Sequence, residues 1–260
     1  MAEKSPAGRW QTTSDEPLFS SRIRCFKGCA VVCAALGHPL VVTMSAGNSP
    51  QRVRMLEALD AEVILVPQIS GEPGQVTGPD IAAATRTAEH LAAERGGFYV
   101  DQFHAPEGKA AHEAGTAREL LDAACGGIDG WTACVGTGCT FLGVARALRR
   151  DNPSVICGAV EPAGCQVLFG QAVTKAKHLL QGAGYGTVPP MWEPELMSCS
   201  IAVSDKEATK WKRRLAIEEG LHVGFTAAAN VCAATKMLSN GVLAPNATIA
   251  TVLCDLGLKY

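Results

Sequence analysis

The sequence has few aromatic residues and no excess of charge of either sign. Aromatic side chains make up only 5% of the 260 residues, so the stacking platforms that bind unpaired bases are not expected. Lys and Arg number 23 against 25 Asp and Glu, which gives a formal net charge of −2. A surface this balanced does not attract nucleic acid or an anionic membrane. We therefore expect neither of them as a partner.

The chain also lacks a long apolar run and a secretory signal. The longest run, residues 29–44, is broken by Gly, His and Pro at 37–39 and is too short to span a bilayer. The first 24 residues are polar, without the apolar segment of a signal peptide. The eleven cysteines form no CxxC pair, which is typical of reduced thiols and not of a disulfide framework. These absences predict a soluble, cytoplasmic protein.

Strand and helix patterns alternate regularly from Gly28 onward. Short apolar runs predict strands at residues 40–44, 62–67, 97–100, 131–135, 155–160 and 248–253. Helical patterns cover residues 28–36, 51–59, 80–95, 108–125, 140–150, 205–220 and 225–237. The alternation predicts an α/β fold with parallel sheets, helices on both faces and two lobes. Residues 164–204 are rich in Gly and Pro, and we expect them to be irregular loops that line a site.

A loop of small residues, "GTGCT" at 136–140, joins a predicted strand to a predicted helix. Gly136 and Gly138 permit a tight turn, and the helix N-terminus behind them favours an anion such as phosphate. Thr137 and Thr140 add hydroxyl donors. No G-K-[ST] follows, which excludes an ATP-type P-loop. A plain strand–helix turn is the simplest alternative to a phosphate site.

A dinucleotide-binding turn is a second alternative. Gly136 and Gly138 follow a strand, and Glu161 ends the next one at about the distance where an acidic residue binds ribose. However, the next glycine, Gly143, lies five residues after Gly138, where the dinucleotide fingerprint requires three. The loop alone therefore leaves all three interpretations open.

Seven segments, in order along the chain, carry a wider resemblance. They are MSAGNSPQRVRMLEALDAEVILV, DQFHAPEGKAAHEAGTARE, GTGCT, GAVEP, QGAGYG, SDKEATKWKRRLAIEEGLHVGFTAAAN and CDLGLKY. Together they resemble the cysteine synthase and tryptophan synthase β-type enzymes, which use pyridoxal phosphate and have fold type II. GTGCT resembles that family's phosphate loop GTGGT, with Cys139 replacing a glycine. GAVEP resembles its GVEP, QGAGYG its QGIGAG and CDLGLKY its PDSGLKY.

The resemblance implies a pyridoxal 5′-phosphate cofactor and a small amino-acid substrate in a homodimeric enzyme. The family reaction is β-elimination or β-replacement on serine-type amino acids. The implied cofactor-binding residues are Gly136, Thr137, Gly138, Cys139, Thr140, Gly182, Gly224 and Leu256. Gln102 in "DQF" matches a family position near the substrate carboxylate. His112 matches a family histidine, which we interpret as a packing residue.

The sequence departs from the family in its first portion. Family members attach the cofactor through a lysine in an S-x-K-D-R context and bind its ring with a TSGNTG loop. Residues 21–27 read "SRIRCFK" where that loop should end, and Lys4 is the only lysine among the first 20 residues. Leu256 also stands where the family has the Ser or Thr that bonds the ring nitrogen, a bond that an apolar side chain cannot make.

These departures predict a family member with an incomplete N-terminal lobe. We expect residues 1–27 to be unrelated to the family and disordered, 28–107 to form the partial lobe and 108–260 to form the phosphate-binding lobe. No catalytic residue can be assigned, and weak or absent activity is expected, with the phosphate site retained and no covalent cofactor attachment. A non-catalytic paralogue or isoform that pairs with family members is the alternative, as is a Rossmann-type dinucleotide-binding protein.

The cysteines raise two further hypotheses. Cys25, Cys29 and Cys33 share one helical face, but no further ligands complete a metal site, so we interpret them as small buried hydrophobes. Cys139 lies at a helix N-terminus, where a thiol can become reactive. A tolerated replacement of glycine is the interpretation that we favour for Cys139. No metal site is predicted.

Overall fold

The chain forms two compact units, Met1–Gln102 and Phe103–Tyr260. The structure is a computed structural model that describes residues 3–4, 10–11, 18–20, 23–69, 76, 78–124 and 127–257, with side chains described from Lys27 onward. Within the described part, no helix has the length and hydropathy needed to cross a membrane.

The first unit contains a four-stranded parallel sheet in the order β5-β4-β3-β6. Its strands are β3 (Leu18–Ser20), β4 (Leu40–Ser45), β5 (Glu62–Val66) and β6 (Phe98–Tyr99), preceded by a short antiparallel pair, β1 (Glu3–Lys4) and β2 (Trp10–Gln11). The helices are α1 (Ile23–Leu36), α2 (Pro50–Glu57) and α3 (Gly78–Arg95).

Alternate residues of β4 face opposite layers of helices. Leu40, Val42 and Met44 pack with buried residues of α1 and with Leu56 of α2. Val41 packs on the other face, against Ala92 of α3. Because the side chains of a strand alternate between its faces, a continuous apolar run produces a sheet that is covered on both sides.

The second unit is built on a parallel sheet in the order β10-β7-β8-β9. Its strands are β7 (Gly130–Cys134), β8 (Ile156–Pro162), β9 (Cys199–Val203) and β10 (Ile249–Thr251). Its helices are α4 (Glu107–Ala111), a π-helical turn (His112–Thr116), α5 (Ala117–Ala123), α6 (Cys139–Asp151), α7 (Asp205–Glu218) and α8 (Phe225–Ser239). Short 3₁₀ turns lie at Val167–Phe169 and Pro194–Leu196.

This second sheet also carries apolar layers on both faces. Trp131 of β7 is fully buried against Phe141 and Leu148 of α6, and its indole N–H donates to the Phe141 carbonyl at 3.1 Å. Val160 and Ile201 face the opposite layer, where they pack with α8. The predicted α/β architecture, with parallel sheets between helices, is therefore confirmed.

Two expectations from the sequence are wrong. Residues 164–204 are not wholly irregular, because Cys199–Val203 forms the edge strand β9. Regular structure also precedes Gly28: Leu18–Ser20 pairs with β4 and β6, and α1 already begins at Ile23. The predicted helix 108–125 is confirmed as a continuous helical segment from Glu107 to Ala123, with the π-helical turn at His112–Thr116 inside it.

A capping box begins α7 and connects it to α8. The Ser204 hydroxyl accepts from the Glu207 N–H at 3.3 Å, and the Glu207 carboxylate accepts from the Ser204 N–H at 2.9 Å. Lys236 of α8 pairs with the same carboxylate at 2.7 Å. Burial by itself would raise the pKa of Glu207, but the bonds from Lys236 and Ser204 outweigh it and lower that pKa to about 2.

We predict that Glu207→Gln reduces the free energy of unfolding at pH 7 by roughly 1 kcal/mol, a figure reduced for solvent screening because the side chain is 39% exposed. Since the folded state lowers the pKa, this stabilisation is complete above the unfolded-state value and is lost as pH falls towards about 2. Urea unfolding at pH 7 and at acidic pH measures both effects. Glu218→Gln, an exposed partner of Arg214 on α7, is the control and should change little. A loss of unfolding free energy that is the same at both pH values would contradict the lowered pKa assigned to Glu207.

Candidate functional site

The glycine loop lies between the carboxyl end of β7 and the first turn of α6. Gly138 precedes the helix with φ +91°, a left-handed conformation that favours glycine. A Cβ added to Gly138 would lie 3.1 Å from Leu142 and 3.7 Å from the Trp192 ring. The N-cap residue Gly138 has no side chain with which to cap α6, and the first turn of any α-helix leaves N–H groups without intrahelical acceptors. The N-terminus of such a helix favours an anion, because its backbone N–H groups and its dipole both attract negative charge.

A second glycine loop packs directly on the first. A Cβ added to Gly136 would collide with the backbone carbonyl oxygen of Gly182. The Gly184 N–H donates to the Val135 carbonyl at 3.2 Å. Because backbone meets backbone at this point, Gly136 has no room for a side chain. The structure thus brings together two of the segments that the resemblance assigns to one site.

Two threonines of the loop have defined partners. The Thr137 hydroxyl accepts from the Cys139 N–H at 3.3 Å. The Thr140 hydroxyl lies 3.0 Å from Nε2 of His112, and Nδ1 of the same ring lies 2.9 Å from the Thr116 hydroxyl. His112 is therefore hydrogen-bonded to the glycine loop as well as packed beside it.

Cys139 faces α4. It is 8% exposed, and a Cβ added to Gly108 would lie 2.9 Å from its sulfur. The thiol therefore fills the small space opposite Gly108. This packing supports the interpretation of Cys139 as a tolerated replacement of glycine.

A third segment joins the site through Asp255. Its buried carboxylate accepts from the N–H groups of Thr226 at 3.3 Å and Ala227 at 2.8 Å, which satisfies the first turn of α8. Its carbonyl accepts from the N–H of Gly224, the residue before the helix, at 2.8 Å. The Thr226 hydroxyl donates to the carbonyl of Gln181 at 3.3 Å. Gly182 thus contacts Gly136 directly, and its neighbour Gln181 accepts from Thr226, two residues after Gly224.

Leu256 follows Asp255 and pairs with Val223 in an isolated bridge. Its side chain is 61% exposed and offers no polar atom. The neighbouring residue Asp255 has a carboxylate, but that carboxylate already accepts from N–H groups at the start of α8. The position that bonds the ring nitrogen in the family therefore presents only an apolar side chain.

Glu161 does not serve the dinucleotide hypothesis. It is 2% exposed, and its carboxylate accepts from the Leu168 N–H at 2.9 Å and the Ser200 hydroxyl at 2.8 Å. Burial raises the pKa of Glu161, and these hydrogen bonds oppose the rise. Glu161 lines a small cleft together with Gly136 and Tyr185, yet its oxygens are used within the protein. The expected contact with ribose is not supported.

The other predicted site residues lie in the first unit. Gln102 is half-buried in the turn at 102–104, after β6, and its contact with a substrate carboxylate stays a prediction. Cys29 is half-buried and Cys33 is 3% exposed in α1, whereas the side chain of Cys25 lies outside the described residues. Among the described residues, no group of three or more His, Cys, Asp or Glu side chains is placed to hold a metal ion.

The residues that pack against the glycine loop and α6 from the segment at 192–193 were not predicted from the sequence. The Trp192 ring stacks on Phe141 of α6 with centroids 5.5 Å apart. Its neighbour Glu193 accepts from Lys109 at 2.7 Å and from Arg146 at 2.6 Å, and these bonds lower the pKa of Glu193 against the opposing effect of burial. These contacts join residues that are far apart in sequence, so no local pattern could have identified them.

The fold and the site define an α/β protein that presents a glycine loop at a helix N-terminus, a class suited to phosphate esters. Comparisons with known proteins specify the class. Residues 27–255 match the model of the pyridoxal-phosphate dependent enzyme family, and the chain belongs to this family. It is 35% identical to cysteine synthase of Staphylococcus aureus (strain Mu50 / ATCC 700699) over 234 residues, covering 90% of this chain and 71% of that protein.

Two further similarities support the same family. Cysteine synthase A of Escherichia coli (strain K12) is 30% identical over 237 residues, covering 89% of this chain and 71% of that protein. The crystal structure of O-ureido-L-serine synthase superposes with a TM-score of 0.82 at 27% identity, covering 96% of this chain and 75% of that one. The resemblance to the cysteine synthase family is therefore confirmed.

We predict that Gly136→Ala destabilises the second unit by about 2 kcal/mol, because the added methyl group meets a backbone carbonyl that cannot move aside. Urea unfolding measures the change. Gly115→Ala is the matched control, since an added Cβ there meets nothing within 4 Å. Equal stability of the two variants would show that the contact between the glycine loops is not tight.

Proposed function

We propose that this chain is a cysteine synthase-like protein of amino-acid metabolism that holds pyridoxal 5′-phosphate by its phosphate group at Gly136–Thr140. The observation that carries the proposal is the loop itself, in which Gly136 has no room for a side chain and Gly138 has a left-handed φ of +91° at the start of α6. Such a surface consists of backbone donors, and phosphate accepts from backbone N–H groups at helix N-termini.

The charge of the loop also suits a phosphate ester. The five loop residues carry no charged side chain, so nothing in the loop itself repels a group of about −1.5 to −2 charge. The helix dipole favours the anion, and the threonine hydroxyls can add donors. Gly182 and Gly224 belong to the segments that pack around the loop, which supports their predicted place at the same site.

The proposed reaction class is β-elimination or β-replacement on serine-type amino acids. It rests on membership of the family and on relatives named cysteine synthase and O-ureido-L-serine synthase. When bound, pyridoxal phosphate supplies an electron sink for the α-carbon of an amino acid. The part that this chain's own residues play is to hold the phosphate, and Gln102 is proposed to contact the substrate carboxylate.

We further propose that the 260-residue chain has weak or no activity. It contains neither an S-x-K-D-R nor a TSGNTG sequence, so no lysine is assigned to covalent attachment or to proton removal. Leu256 cannot hydrogen-bond a ring nitrogen. A non-catalytic relative that pairs with family members is the alternative role. The homodimer and the cytoplasmic location stay predictions.

We predict that the purified chain binds pyridoxal phosphate reversibly and through its phosphate. Equilibrium dialysis should show competition by inorganic phosphate, and pyridoxal, which lacks the phosphate, should bind at least about tenfold more weakly, because loss of one charge-assisted hydrogen bond costs about 1.5–3 kcal/mol. Thr137→Val should weaken the binding of pyridoxal phosphate and leave that of pyridoxal unchanged.

Borohydride reduction and mass spectrometry complete the test. We expect no cofactor fixed in stoichiometric amount to one lysine, and no measurable release of product from O-acetylserine. Stoichiometric fixation on one lysine would contradict the proposed loss of catalysis. Binding of a nicotinamide dinucleotide in place of pyridoxal phosphate would contradict the cofactor assignment.

A further inference from the structure

A π-helical turn at His112–Thr116 interrupts the helix that faces the phosphate loop. The Ala117 N–H donates to the carbonyl of His112, five residues earlier. Single π turns inside helices are rare and often occur at functional sites, because the extra residue changes the direction of the side chains around it. The proposed function gives this turn no role.

Glycine 143 allows the π turn to lie directly against α6. A Cβ added to Gly143 would lie 2.9 Å from Cβ of His112 and 3.0 Å from the backbone nitrogen of Glu113, and it would collide with the carbonyl of Lys109. Residues three apart on a helix share a face, so Thr140 lies one turn before Gly143 on the same side. The close approach at Gly143 therefore brings the imidazole of His112 to the hydroxyl of Thr140.

Both nitrogens of His112 have threonine hydroxyls as partners. Nε2 lies 3.0 Å from Oγ1 of Thr140, and Nδ1 lies 2.9 Å from Oγ1 of Thr116. A neutral imidazole has one N–H donor and one acceptor nitrogen, whereas each hydroxyl has a single proton. Burial lowers the pKa of His112, which favours the neutral ring. One ring nitrogen of His112 therefore donates to its threonine hydroxyl, and the other accepts from its threonine hydroxyl.

The direction decides what Thr140 can offer to a phosphate. If Nδ1 carries the proton, the Thr140 hydroxyl must donate to Nε2, and its only proton is used inside the protein. If Nε2 carries the proton, Thr140 accepts from His112 and keeps its own proton for an anion at the loop. In that case Nδ1 accepts from Thr116, so every partner is satisfied.

We propose that His112 is a positioning residue for the phosphate site: its Nε2–H donates to Thr140 and leaves the Thr140 proton directed at the bound phosphate. The inference rests on the proposed function and adds a role for a residue that contacts no ligand itself. It also replaces our interpretation of His112 as a packing residue.

The tautomer of His112 can be measured on the full chain without any ligand. Nitrogen-15 NMR of histidine-labelled protein, with the His112 signals assigned by their loss in His112→Gln, distinguishes a protonated Nε2 from a protonated Nδ1. We expect the proton on Nε2. A proton on Nδ1 would overturn the inference whatever the protein binds.

Binding measurements test the effect on the phosphate. His112→Ala should weaken the binding of pyridoxal phosphate about tenfold, the cost of one hydrogen bond, and should leave pyridoxal unaffected. His112→Gln, whose amide can still donate to Thr140, should restore affinity to within about threefold of the unchanged protein. In a Thr140→Val background, His112→Ala should add no further loss. His90→Ala is the control, since that ring is exposed in the first unit.

The outcomes separate the two proposals. If His112→Gln bound as weakly as His112→Ala, or if both variants lost affinity for pyridoxal as well, the role of His112 would be purely structural and the inference would be overturned. If the unchanged protein failed to bind pyridoxal phosphate, the proposed function would be wrong. The NMR measurement of the tautomer would still show whether His112 donates to Thr140 or accepts from it.

Discussion

The contact between Gly136 and the carbonyl oxygen of Gly182 is the constraint on which the candidate site depends. It leaves no space for a side chain, so two loops that are 46 residues apart in sequence meet backbone to backbone. A backbone-lined surface at the N-terminus of α6 is the physical requirement for holding a dianion without a lysine or arginine. A side chain at Gly136 would separate the loops and remove that surface.

Two buried carboxylates hold the segments around the candidate site in place by accepting hydrogen bonds from them. Asp255 accepts two N–H groups at the start of α8, and Glu161 joins β8 to the turn at Leu168 and to Ser200 of β9. Carboxylates that accept several hydrogen bonds are costly to leave unpaired in a protein interior. These two carboxylates therefore help to specify where the loops around the candidate site lie, and their oxygens are already used within the protein.

The sequence predicts the layers of the fold better than the contacts within the site. Continuous apolar runs identify β4, β7 and β8 because strands buried on both faces leave that pattern. Strand β9, "CSIAV", was missed because it directly follows a Gly- and Pro-rich segment, for which irregular loops were expected. The π turn in "HEAGT" has no composition that distinguishes it from an α-helix, because its position depends on the approach of Gly143.

The residues of the candidate site likewise divide into those that the sequence predicts and those that depend on tertiary contacts. The loop at 136–140 was recognisable from its glycines, and the family resemblance added Gly182 and Gly224. The bonds of His112 to Thr140, and of Asp255 to α8, connect residues 28 and more positions apart and depend on tertiary structure. Local pattern carries no information about such bonds, which is why His112 was interpreted as a packing residue.

Phosphorus-31 NMR of pyridoxal phosphate added to the chain tests the central claim most directly. Backbone N–H groups and hydroxyls that bond the phosphate favour its dianion, so the bound resonance should not move between about pH 5.5 and pH 8. A resonance that titrates with an apparent pKa of about 6, as a free phosphate monoester does, would contradict the assignment of Gly136–Thr140 as the phosphate site.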